Sequence, residues 1–92
     1  MRVRPVPGVS VTVDADGRLD VCVAQDFGRY RHLRCSPVGT AMWIALRQHG
    51  GDVDAAADML AALWGTEPEN ARADLGIWVD EMRDAGLVRD EA

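Results

Sequence analysis

Apolar residues alternate along the first quarter of the chain and then recur at helical spacing, so strands come first and helices follow. Val9, Val11 and Val13 are interleaved with Gly8, Ser10 and Thr12, the period-two signature of a half-buried strand. Asp14-Ala15-Asp16-Gly17 has turn chemistry, and Leu19, Val21 and Val23, set against Asp20, Cys22 and Ala24, continue as a second strand. Pro5 and Pro7 predict an extended lead-in before these two. A second turn over residues 25–28 leads into a third strand over 29–34. The result is an antiparallel meander that needs a helical cover.

Three helices supply that cover. Ser36 is placed as an N-cap, and Pro37 stands where its missing N–H costs nothing. From Pro37 to about Gln48, Val38, Ala41, Met42, Ala45 and Leu46 share one face; Trp43 and Ile44 widen it, and Gly50-Gly51 ends the helix. Asp52 caps a second helix with the stripe Ala56, Met59, Leu60, Leu63 and Trp64, closed by Gly65. Thr66 and Glu69 have capping-box spacing, and the third helix then runs to about Ala85 on a stripe of Ala71, Leu75, Trp78, Val79 and Met82. Gly86 is a left-handed terminator, after which Leu87-Val88 turns back toward the sheet. The expected fold class is α+β: a three-stranded antiparallel sheet followed by three helices, winged helix-turn-helix-like, in one domain spanning 1–92 with an ordered core of about 9–88.

The third strand stands out. Arg29, Tyr30, Arg31, His32, Leu33 and Arg34 hold a single aliphatic, so the strand is either a solvated edge gated by arginine or an edge that accepts an extended peptide. Composition narrows the partners. At 92 residues there is room for one modest core, and the net charge of −5 repels nucleic acid and anionic membranes. A recognition helix carrying Glu67, Glu69, Asp74, Asp80, Glu81 and Asp84 against Arg72 and Arg83 is ill suited to phosphates. No window approaches the ~18 apolar residues of a spanning helix. The first residues also lack an apolar signal core, so a cytoplasmic protein is expected.

Little in the chain points to catalysis. His32 and His49 stand apart from ligand-spaced cysteines or carboxylates and read as solvated or edge histidines. Cys22 and Cys35 lack Cys-x-x-Cys spacing and read as reduced thiols; neither has a base partner evident in the sequence. Gly50-Gly51 joins two helices rather than opening one after a strand, so it is no phosphate loop. No catalytic residue, metal site or cofactor is expected. Trp78 keeps two readings, a core tryptophan or a groove wall.

Leu33-Arg34-Cys35-Ser36, then Ala41-Met42-Trp43-Ile44, Gly50-Gly51, the stripe from Ala56 to Leu63 and the closing Val79 to Gly86-Leu87 together resemble the PqqD-like family, the recognition elements of ribosomally made, modified peptide pathways. The order and spacing of these motifs, over about residues 9–88, carry the likeness. The resemblance implies a non-catalytic adaptor that binds the leader segment of a precursor peptide as an extra strand. By position the site would be Arg29, Tyr30, Arg31, His32, Leu33 and Arg34 with Ala71, Asp74, Leu75 and Trp78 of the third helix. It is most similar to the stand-alone leader-binding proteins of lasso-peptide biosynthesis, which implies a leader peptidase of the cysteine-protease type and a cyclase as partners. The alternatives are a PqqD-type chaperone of quinone cofactor biosynthesis and an acidic winged-helix transcription regulator.

Overall fold

The computed structural model describes residues 1–91 and contains five strands and three helices. In chain order these are β1 (Val3–Pro5), β2 (Val9–Val13), β3 (Leu19–Ala24), β4 (Tyr30–Arg34), α1 (Pro37–Gln48), α2 (Val53–Trp64), α3 (Pro68–Asp84) and β5 (Val88–Asp90). The expected meander is present as an antiparallel sheet of order β2-β3-β4, so β2 and β4 are both edges. Val21 faces Leu33, Val23 faces Arg31 and Cys22 faces His32 across the β3–β4 ladder. Directly opposed residues share a face, so Val9, Val11, Val13, Leu19, Val21, Val23, Arg31 and Leu33 point one way, toward the helices.

At the ends of the chain one expectation is corrected. The extended lead-in forms a strand, but Leu87-Val88 does not return to the three-stranded sheet: β1 and β5 form a separate antiparallel ribbon. The cause is the end of α3. Gly86, at φ 77, allows its own N–H to bond Arg83 O and that of Leu87 to bond Met82 O, a Schellman closure that aims the chain at the N-terminal segment. The capping box at Thr66 does not form either. The Thr66 N–H bonds back to Ala61 O at 3.0 Å as the tail of α2, and Pro68 forces its predecessor Glu67 into an extended cap position (ψ 140) with no side-chain cap bond.

The caps on α1 and α2 form as read. Ser36 Oγ accepts from Gly39 N at 3.1 Å, and an Asp52 carboxylate oxygen accepts from Ala55 N at 3.1 Å. The buried stripes are shifted from those expected. Val38, Ile44 and Leu63 are exposed, while Thr40, Val53 and Ala57 are buried. His49 is half-buried at the end of α1, with its Nε2 3.2 Å from Met59 Sδ.

The core falls into two clusters. One lies among the helices around Ala56, Leu60, Ala71, Leu75 and Val79, with Val3 of β1; the other lies between the sheet and α3 around Val21, Cys35, Trp43, Met82 and Leu87. Trp78 packs against both. No helix among the described residues is long and apolar enough to cross a membrane.

The ribbon is tied to the helices at Gly51, whose carbonyl accepts from Val3 N at 2.9 Å and whose φ is 86. A Cβ at Gly51 would overlap the Val3 carbonyl, whereas one at Gly65 (φ 64) would meet nothing. Gly65→Ala should therefore cost about 1 kcal/mol, the conformational strain alone, and Gly51→Ala distinctly more, about 3 kcal/mol. Urea denaturation of the two variants checks the gap.

Acid should also loosen the fold. The Arg18 N–H, and then the Asp16 N–H and Arg34, hold the Asp14 carboxyl below the usual carboxylate range; the Ala55 N–H and then Arg2 do the same for Asp52. For such groups the stabilisation is complete above the ordinary carboxylate pKa and lost as the pH falls through the lower folded values. Melting followed against pH should show this acid limb, and Asp14→Asn/Asp52→Asn should flatten it.

Candidate peptide groove

The third strand and the first helix meet in a short, heavily tied corner. Leu19 O accepts from Cys35 N at 2.7 Å, Thr40 Oγ1 accepts from Leu19 N at 2.9 Å, and Arg18 Nε donates to Cys35 O at 3.0 Å. These bonds hold the end of β4 and the start of α1 to β3, and leave the outer edge of β4 unpaired beside α3. Between them lies a cleft of about 260 Å³. Leu33, Cys35, Trp78, Met82 and Ala85 form largely apolar walls; Arg34, Ser36, Gly39 and Glu81 complete the lining. The volume suits one or two apolar side chains presented by an added strand.

Trp78 is the far wall. It is half-buried, its ring meets Trp43 edge-on with centroids 6.4 Å apart and planes at 85°, and a Cβ on Gly39 would come within 3.1 Å of its Nε1. Gly39 thus admits the indole against the first turn of α1. Trp78 both packs against the core and lines the cleft. At the opposite end the Arg31 guanidinium donates to the carbonyl of Ala85, the C-cap of α3, where the helix dipole is negative.

The residues expected at the site separate into three groups. Leu33 and Arg31 face the helices and reach the groove or its end, while Tyr30, His32 and Arg34 alternate to the open face of the sheet, Arg34 also lining the rim of the groove. On that face Arg34 pairs with Asp14 at 2.8 Å and Asp16 at 3.4 Å. Arg29 lies in the preceding turn, beside Phe27. Of the helix residues only Trp78 lines the cleft. Ala71 and Leu75 are fully buried in the helical cluster, and Asp74 is exposed outside the groove.

The helical wall of this cleft lies one turn beyond the residues expected from the sequence. Glu81, Met82 and Ala85, three, four and seven residues beyond Trp78, form the wall, and that helical spacing was the available signal. Gly39 and Cys35 also went unassigned. Burial pushes the Cys35 thiol upward in pKa, with the Asp20 charge adding to the shift, so it behaves as a lining atom group rather than a thiolate. The Cys22 thiol, read as having no base partner, sits 3.9 Å from His32 Nε2, but on the open face with no enclosing pocket. Among the described residues no three His, Cys, Asp or Glu side chains gather at metal-binding distance.

A small α+β domain with helix-turn-helix-like helices, a free sheet edge and an apolar groove beneath it is thus the class of protein defined by fold and site. The chain belongs to the PqqD family: the profile of coenzyme PQQ synthesis protein D matches residues 13–88. Among solved structures it is similar to TbiB1 in complex with the TbiA(beta) leader peptide, at 18% identity and a TM-score of 0.75 over 97% of this chain and 98% of that one. It is likewise similar to a lasso peptide synthetase B1 complexed with the leader peptide, at 17% identity and a TM-score of 0.72 over 98% of this chain and 100% of that one. No curated protein matches it in sequence.

Trp78→Ala should cost about 2–3 kcal/mol, below the range for a fully buried tryptophan because one edge is already open to solvent. Trp78→Phe should keep most of that stability. Paired chemical-denaturation curves for the two variants test the shared role.

Proposed function

We propose that this protein is a non-catalytic adaptor that captures the leader segment of a ribosomally made precursor peptide and presents it to processing enzymes in lasso-peptide biosynthesis. The observation that carries the reading is the unpaired edge of β4 directly above an apolar groove. An extended peptide adds to that edge through backbone hydrogen bonds from residues 30–34, and alternate side chains descend between Leu33 and the Trp78–Met82 wall. Both solved neighbours are bound to leader peptides, and each is matched nearly end to end. The enzymes served are a leader peptidase of the cysteine-protease type and then a cyclase.

The family profile itself is named for coenzyme PQQ synthesis, which favours a second reading: the same edge receiving the precursor of a quinone cofactor. Fluorescence polarisation against a labelled leader from a lasso precursor and one from a quinone-cofactor precursor separates the two. Tight binding of the lasso leader alone supports the first reading; binding of neither overturns the peptide groove.

Within that assay Leu33→Ala and Met82→Ala should weaken the leader by about tenfold, as truncation of central anchors does. Tyr30→Ala, on the open face, should change affinity by no more than about twofold, because only its backbone takes part. Raising the salt should weaken binding gently, since exposed ion pairs contribute only ~0–1 kcal/mol each.

A further inference from the structure

The three-stranded sheet has a second free edge, and it too overhangs a groove. β2 alternates toward the helices with Val9, Val11 and Val13, yet Val11 is 42% and Val13 59% exposed, because α1 covers β3 and stops short of the edge. Val11, Val13 and Leu19 face Trp43, Ile44 and Arg47 across a cleft of about 380 Å³ whose surface is mainly apolar. Ile44 is itself 40% exposed. This strip and the β4 groove lie on the same face of the sheet, at opposite edges and with no lining residue in common.

Beside this strip the charge changes sign. Arg47 also lines a neighbouring cleft of about 460 Å³ together with Arg4, and Arg4 stands directly opposite Arg89 in the β1–β5 ladder. Like charges directly opposed across a strand pair are destabilising. None of the three arginines forms an ion pair among the described residues, although Glu91 lies on the same rim and the chain has 15 acidic residues against 10 basic ones. Arg4 and Arg89 share a cleft with Asp90 and Glu91, and Asp90 is paired to Arg83, so among the described residues three unpaired arginines face one unpaired acid, and this border on a protein of net charge −5 is complementary to an acidic occupant. A long polyanion is disfavoured by the net charge, and the strip beside the border is apolar with an unpaired strand edge. The complementary chemistry is that of an extended protein segment.

We infer that the β2 edge, the Val11–Val13–Ile44 strip and the Arg4–Arg47–Arg89 border form a second docking face for a partner protein's extended segment that alternates apolar and acidic residues. The proposal stands apart from the peptide reading of β4. It gives the domain two opposite strand-accepting edges, one over an apolar pocket and one flanked by arginines.

The test uses the full chain and a fluorescein-labelled peptide of alternating valine and glutamate, with an alternating valine–lysine peptide as control. The glutamate peptide should bind at least about tenfold more tightly than the lysine peptide, and Arg4→Glu/Arg89→Glu should erase that preference. Val11→Asp should weaken the glutamate peptide further. Arg89→Glu alone should raise the melting temperature by setting an opposite charge directly across from Arg4 while lowering affinity for the glutamate peptide, a divergence that a purely structural role for Arg89 would not give. Leader affinity at β4 should be unchanged in all these variants, which separates failure here from failure of the leader site. Equal binding of the two peptides, no binding of the glutamate peptide at millimolar concentration, displacement of it by a single-stranded oligonucleotide, or self-association through this face in sedimentation equilibrium would each overturn the proposal.

Discussion

The edge-on contact between Trp43 and Trp78 is the interaction on which the architecture turns. A three-stranded sheet buries one face and cannot stand alone, and three short helices form a core of their own; the two indoles join these halves. Trp43 belongs to the sheet-side cluster and Trp78 packs against both clusters, so the position of α3 relative to β4, and hence the width of the groove, follows from how these rings meet. Gly39 is part of the same arrangement, since a Cβ there would come within 3.1 Å of Trp78 Nε1 and press on the indole.

The second organising element is the ribbon of β1 and β5. It closes the fold by returning the end of α3 to the start of the chain, and it hangs on bonds from Val3 N to Gly51 O and from Val6 N to Leu87 O. Arg83 adds a clasp, donating at 2.6 Å both to Asp80 on its own helix and to Asp90 on β5. Because the termini pair with each other in a separate ribbon, both edges of the larger sheet, β2 and β4, stay unpaired among the described residues.

Much of the fold was legible because it is written in local chemistry. The valine alternation, the Ser36-Pro37 and Asp52 caps and the glycines at 65 and 86 each act within a few residues, and each produced the element it announced. What escaped was set by distance or by competition. Nothing near Val3 or Val88 signals that β1 and β5 will pair, Val3 with Asp90 and Pro5 with Val88, and Thr66 was drawn into the end of α2 by a bond that its own spacing to Glu69 does not reveal. The groove was half-legible for a similar reason. The basic third strand and Trp78 marked it, but which turn of α3 lies beside Leu33 depends on the crossing of helix over strand, a tertiary quantity. Two of the anticipated side chains, Ala71 and Leu75, therefore turned out to be core.

The placement of aromatic residues gives the domain an optical handle on its own state. Of its three tryptophans, Trp78 lines the groove and Trp43 touches it edge to edge, while Trp64 sits at the end of α2 and lines none of the groove. A strand entering the groove replaces water along the exposed edge of Trp78 and stiffens the coupling between the two rings. Under the proposed function, the emission spectrum and the near-ultraviolet dichroism of the unlabelled protein are therefore expected to change with occupancy against the background of Trp64.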